Sequence, residues 1–141
     1  MKRLKHALAV AIAVAVIGCD HSFAPTPGTV PGIYAARTFT TTDSTGTTTD
    51  WIVAGGSLNL ILAQGGAAGG QLLLPGMGPA GSDFIASMTG TWELIGNTVR
   101  LTQSANTFVR DMPWLAGENL LTGDHTFDGT RVKVVLVKEA L

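Results

Sequence analysis

Twelve residues, Thr91 to Thr102, read Thr-Trp-Glu-Leu-Ile-Gly-Asn-Thr-Val-Arg-Leu-Thr, and they fit one register as a β-hairpin. Gly96-Asn97 makes a two-residue turn, since both residue types tolerate positive φ. Ile95 then faces Thr98, Leu94 faces Val99, Glu93 faces Arg100 and Trp92 faces Leu101. Trp92, Leu94, Val99 and Leu101 share one face, and opposite charges meet on the other. A one-residue slip would turn the whole apolar set outward.

The pattern returns further along the chain, where His125 to Val134 matches Trp92 to Leu101 position for position. With Gly129-Thr130 as the turn, Phe127 is expected opposite Val132, Asp128 opposite Arg131, and His125 opposite Val134 on the core side. Less sharp strands are expected at Ile33 to Thr42, ending in a turn around Asp43 to Gly46, and at Thr48 to Ala54. Ser57 to Leu62 alternates, with Leu58, Leu60 and Leu62 inward, and Gln71 to Leu74 is stopped by Pro75. Trp114-Leu115 and Asn119 to Thr122 read as arms around an Ala116-Gly117-Glu118 loop, and Arg131 to Lys138 closes the domain. The fold expected for residues 32–141 is all-β: a small antiparallel up-and-down barrel of eight to ten short strands. Gly65 to Gly70 lacks the Lys-Ser/Thr and the following helix of a phosphate-binding loop, so it reads as a hairpin tip. Pro75 to Gly81 reads as a loop at the barrel mouth.

The N-terminus is of another kind. Lys2, Arg3 and Lys5 precede an uncharged run from Ala7 to Gly18, which as a helix reaches only about 18 Å and is too short to span a bilayer. Residues 1–18 therefore read as a signal peptide, and Val16-Ile17-Gly18-Cys19 resembles the lipobox of bacterial lipoproteins. That resemblance implies a diacylglycerol thioether on Cys19, cleavage before it, and long acyl chains such as palmitate as the membrane anchor. A thiol is the soft nucleophile such a bond needs. Asp20 resembles the enterobacterial signal that keeps a lipoprotein in the inner membrane. Residues 19–31, with Pro25, Pro27 and Pro31, read as a tether. Cleavage removes three of nine basic residues and no acidic ones, leaving six against ten, a net side-chain charge of −4. Such a chain is not drawn to anionic lipid by charge, so the acyl chains must hold it. The balance also excludes a basic nucleic-acid binder.

Gly32-Ile33-Tyr34, Gly55 to Leu60, Gly90 to Val99 and the closing Val-rich strand together resemble the lipocalin-like domains of bacterial lipoproteins. The resemblance implies a calycin-type antiparallel barrel. Tyr34 stands where lipocalins usually carry Trp.

Chemistry-bearing residues are sparse. One Cys allows no intrachain disulfide and no multi-thiolate metal site, and His6, His21 and His125 are scattered. Asp83, Glu93, Asp111 and Glu118 show no paired spacing for acid–base work, and Arg110-Asp111 reads as a local ion pair. No cofactor, metal or catalytic residue is expected. Trp92, Phe127, His125 and Trp51 are the candidates to line a cavity, should the barrel hold one. The expected function is a non-enzymatic, membrane-anchored envelope module that binds a small apolar ligand or a protein partner. The alternative is a structural lipoprotein with a side-chain-filled barrel. Cys19→Ser is expected to abolish incorporation of a fatty-acid probe and release the protein from membranes. A variant that stays membrane-bound would mean an uncleaved leader is the anchor.

Overall fold

The computed structural model describes residues 23–140; the leader, Cys19 and Asp20 lie outside the described residues. Its strands are β1 (Gly32–Thr42), β2 (Thr48–Asp50), β3 (Ser57–Leu62), β4 (Ala67–Leu74), β5 (Phe84–Ser87), β6 (Gly90–Ile95), β7 (Thr98–Gln103), β8 (Trp114–Gly117), β9 (Leu120–Phe127) and β10 (Thr130–Lys138). Each pairs antiparallel with a neighbour in chain order, and β10 returns to β1, closing an eight-stranded up-and-down barrel. Two strands are extra. β2 pairs on β1, and β5 lies along β4 beyond β6. Closure leaves no long unpaired sheet edge.

The strand directions define two ends. At the proximal end lie the start of β1, the 63–66 and 96–97 turns, the 118–119 turn and the end of β10. The distal end carries the 43–47, 51–56, 75–83 and 104–113 loops and the 128–129 turn. The last of the long loops holds a single helical turn, α1 (Phe108–Asp111).

The first hairpin has the expected register: Ile95 opposite Thr98, Leu94 opposite Val99, Glu93 opposite Arg100 and Trp92 opposite Leu101. Trp92, Val99 and Leu101 are buried, while Glu93 and Arg100 are exposed. The second hairpin needs a correction. Its turn is Asp128-Gly129, with φ of 47° and 81°, so Phe127 faces Thr130, Thr126 faces Arg131 and His125 faces Val132. Two consecutive positive φ values favour Asp-Gly, whereas β-branched Thr130 resists that conformation. The expected Asp128–Arg131 neighbours are thus replaced by Asp124 and Arg131, whose carboxylate and guanidinium meet at 2.6 and 2.8 Å. That contact holds the Asp124 carboxyl below the usual carboxylate range. Three smaller differences follow the same local logic. The third hairpin turns at Glu118-Asn119, with Asn119 at φ 57°, and Ala116 belongs to β8. β2 ends at Asp50, and β4 begins inside the glycine-rich run at Ala67.

One extra residue decides the packing of β1. The pairing with β10 shifts between Ala36 and Thr38, placing Arg37 in a bulge. Tyr34 therefore points inward on one side of the bulge and Phe39 on the other, both 1% exposed. Strict alternation would have sent Phe39 outward with Arg37.

The chain entering β1 closes the proximal end. Thr26 and Thr29 form a turn, and Val30 is buried at 2% exposure. The Tyr34 hydroxyl donates to the Val30 carbonyl at 2.6 Å, and the Lys138 ammonium donates to the Thr29 carbonyl at 2.6 Å. The last residues of the segment read as tether are therefore seated on the barrel. Burial pushes the Tyr34 hydroxyl up to about 12 from 10.0. The fold favours the neutral phenol, so this contribution to stability is complete below the unfolded pKa near 10 and is lost as pH rises toward 12. Tyr34 is the chain's only tyrosine, so phenolate absorbance reports it alone. The native protein is expected to titrate well above free tyrosine, and an ordinary midpoint in protein that keeps its near-ultraviolet circular dichroism would refute the buried hydrogen bond.

Candidate functional site

The inward rows decide whether a cavity exists. β3 alternates so that Leu58, Leu60 and Leu62 are at most 1% exposed, and Leu72, Val99, Leu121, Val134 and Leu136 meet them from around the barrel. Trp114 is fully buried, and its indole N–H donates to the Val109 carbonyl at 3.0 Å. Gly123 makes room for it: a Cβ there would lie 2.6 Å from Met112 Cγ and 3.0 Å from a Trp114 ring carbon. Val109 and Met112, at or next to α1, cover the distal end, while Val30 covers the proximal one. The axis is occupied by side chains from end to end, as expected of a small eight-stranded barrel.

The four candidate lining residues do not converge. Trp92 sits at the proximal end, its indole N–H donating to the Ala63 carbonyl at 2.8 Å, beside an open depression of about 310 Å³ lined also by Pro27, Gly65, Gly66 and Leu94. Trp51, His125 and Phe127 lie at the distal end. Trp51 donates to the Thr41 hydroxyl at 3.0 Å and packs on Phe39, ring centres 6.3 Å apart. The His125 and Phe127 rings meet edge-on at 4.7 Å. His125 corrects the expectation of a core position: it belongs to the inward row of β9, but at the distal rim, where that row runs out of barrel and the ring is exposed.

A second open depression, of about 240 Å³, is the unfilled remainder of the distal mouth, lined by Leu72, Leu74, Met77, Phe84 and Phe108 with Asn106 and Thr107. The Pro75–Gly81 loop does stand at this mouth, supplying Met77, whose side chain is 58% exposed. Two polar atoms near it are buried without a partner, Thr107 Oγ1 and Gln103 Oε1, although the Gln103 amide N–H₂ donates to the Met88 carbonyl at 2.9 Å. The sequence did carry a signal for Gln103, since Val99, Leu101 and Gln103 occupy alternate positions and the inward row ends on an amide. Thr107 and Phe108 carried none, because the 104–113 loop has no period, and Phe84 opens a strand of four residues, too short to show one.

A third open depression, about 460 Å³, lies outside the barrel between β7 and α1. Its walls include Arg100 and the Arg110–Asp111 ion pair, 2.9 Å apart, with Arg110 also donating to the Asn106 side-chain carbonyl at 2.7 Å. The expected local pair is thus present, and it holds the Asp111 carboxyl below its usual range. Among the described residues no three His, Cys, Asp or Glu side chains gather as metal ligands would.

If the interior is packed as described, Trp114→Ala should lower stability by about 3–5 kcal/mol. Gly123→Val should cost about 1–3 kcal/mol by forcing Met112 and Trp114 aside. Urea unfolding measures both; a Trp114→Ala variant within about 1 kcal/mol of the parent would mean that the axis is not filled. No protein-family model, curated protein or solved structure matches this chain.

Proposed function

We propose that the chain is a bacterial envelope lipoprotein, held to a membrane by acyl chains on Cys19, whose barrel is a filled, non-enzymatic scaffold for a binding surface at the distal end. The observation that carries the binding surface is the contrast between the occupied axis and the open apolar distal mouth around Met77, Phe84 and Phe108. Beside that mouth the 51–56 loop presents Val53 at 84% exposure and Ile52 at 37%. The mouth is smaller than the roughly 300–1,000 Å³ of typical ligand pockets, which suits a side chain offered by a protein partner better than an enclosed small molecule. Exposed large apolar residues gathered on loops are a common mark of such a surface. The barrel itself is not a bilayer-spanning one by its patterning. Its interior is apolar and its outward rows carry Glu93, Arg100, Asp124 and Lys133, the reverse of a transmembrane barrel. Among the described residues no helix is long and apolar enough to cross a membrane. Asp20 favours retention at the inner membrane.

The second reading, a purely structural lipoprotein, is favoured by the same filled interior. An environment-sensitive hydrophobic dye separates the two. Saturable dye fluorescence that is lost in Met77→Asp/Phe84→Asp, and displaced by one lipid class or one envelope protein, supports the distal surface and names its ligand class. No saturable binding by the folded protein leaves the structural reading.

A further inference from the structure

We infer that the proximal end of the barrel is a seat for a lipid surface, so that the protein stands on the bilayer instead of swinging from its tether. The inference rests on the acyl anchor at Cys19 and goes beyond it. Outward positions near the proximal end include Ile33, Ile61, Ile95, Leu115, Leu120 and Val137, each on a different strand, and the other two barrel strands present Ala67 and Thr98 there. None is charged. Ile61, Ile95 and Leu115 are 42%, 48% and 53% exposed, and they stand on β3, β6 and β8, spread around the circumference as a collar. The proximal depression beside Trp92 is lined by Pro27, Leu94 and the 65–66 glycines, with Glu93 at its edge. The charged outward pairs lie farther along the axis: Glu93 opposite Arg100 one step above the collar, and Asp124 with Arg131 and Lys133 toward the distal end. Two acids, Glu118 and Glu139, and the Lys138 ammonium share the proximal rim, so the surface that fits is a zwitterionic one.

Chain length sets the occupant. Thr26 is fixed to the proximal end by its turn with Thr29, and it lies seven steps along the chain from Cys19. Seven residues span at most about 25 Å, so an anchor at Cys19 keeps this end beside the bilayer. β10 rises about 22 Å along the barrel axis, given the usual strand tilt, and the distal loops lie beyond it, so laying them on the same membrane would stretch the tether to its limit. An apolar collar held next to lipid buries its side chains in the headgroup–acyl boundary, where each exposed Ile or Leu adds to binding without any positive charge.

Cys19 is the only cysteine and is blocked by its own lipid in the mature protein, so introduced cysteines can be labelled alone. Lipidated protein carrying a polarity-sensitive fluorophore at Ile61→Cys, Ile95→Cys, Leu115→Cys or Val53→Cys would be reconstituted into phosphatidylcholine vesicles with and without doxyl-labelled lipid. The three collar labels are expected to shift to shorter wavelength and lose most of their fluorescence to the doxyl group, with Val53→Cys showing neither effect. If the unlabelled lipoprotein fails to float with the vesicles, the anchor and the seat fall together. If it floats and the collar labels are quenched no more than Val53→Cys, the anchor stands and the seat alone is overturned. A spectral shift without doxyl quenching also overturns the seat, because it places protein, not lipid, against the collar.

Discussion

Everything in this molecule depends on the seam between the first and last strands. β1 pairs with β10 over most of its length and also carries β3 and β2, so barrel closure, the proximal plug and the aromatic packing of the distal end all pass through eleven residues. The seam works because of Arg37. Its bulge lets Tyr34 hold the Val30 carbonyl at one end and Phe39 pack against Trp51 and Phe108 at the other, where a regular strand could place only one of the two inside.

A barrel of this size, once closed, has little choice about its interior. Eight strands leave room for side chains or for one small ligand, and here large residues take the space. Gly123 is the clearest sign of how tightly. Glycine is poor strand material, and it is kept where Trp114 and Met112 need the volume its missing side chain leaves. What the barrel offers to other molecules is thereby its outer surface and its two ends, and these differ. The proximal end has uncharged outward strand positions and is continuous with the N-terminal segment; the distal end is loop-built, carries the Arg110–Asp111 and Arg131–Asp124 ion pairs and exposes Val53 and Met77.

How much of this was legible in the sequence follows from how local each signal was. The barrel class and the Trp92–Leu101 hairpin were readable because one register satisfied apolar burial and charge pairing together. The second hairpin was misplaced by one residue because its resemblance to the first outweighed the local preference of Asp128-Gly129 for positive φ. That single slip gave Arg131 the wrong acid, while His125 kept its inward row and is exposed because that row runs past the distal rim. The Arg37 bulge had no local signature at all, since Thr38, Phe39 and Thr40 are good strand residues in either parity and only the partner strand decides between them. The distal mouth was half legible: the Pro75–Gly81 loop announced itself through Pro and Gly, but Phe84, Thr107 and Phe108 reach it through tertiary packing alone.

The two ends are also unequal in how well their polar groups are satisfied. At the proximal end the Tyr34 hydroxyl, the Lys138 ammonium and the Trp92 indole N–H each find a backbone carbonyl at 2.6 to 2.8 Å. At the distal end Gln103 Oε1 and Thr107 Oγ1 are buried without one. A buried acceptor or hydroxyl with no protein partner needs a water molecule or another polar group, and the apolar residues of the 104–113 loop, Val109 and Met112 above all, pack beside these two. A group that can approach the distal mouth and hydrogen-bond to Thr107 meets that need, whether it is a water molecule or a polar atom of a partner. The proximal end offers no such pairing, and what it gains from contact is the removal of Ile61, Ile95 and Leu115 from water. On the proposed reading, a mixed polar and apolar partner suits the distal end, and a zwitterionic lipid surface suits the proximal one.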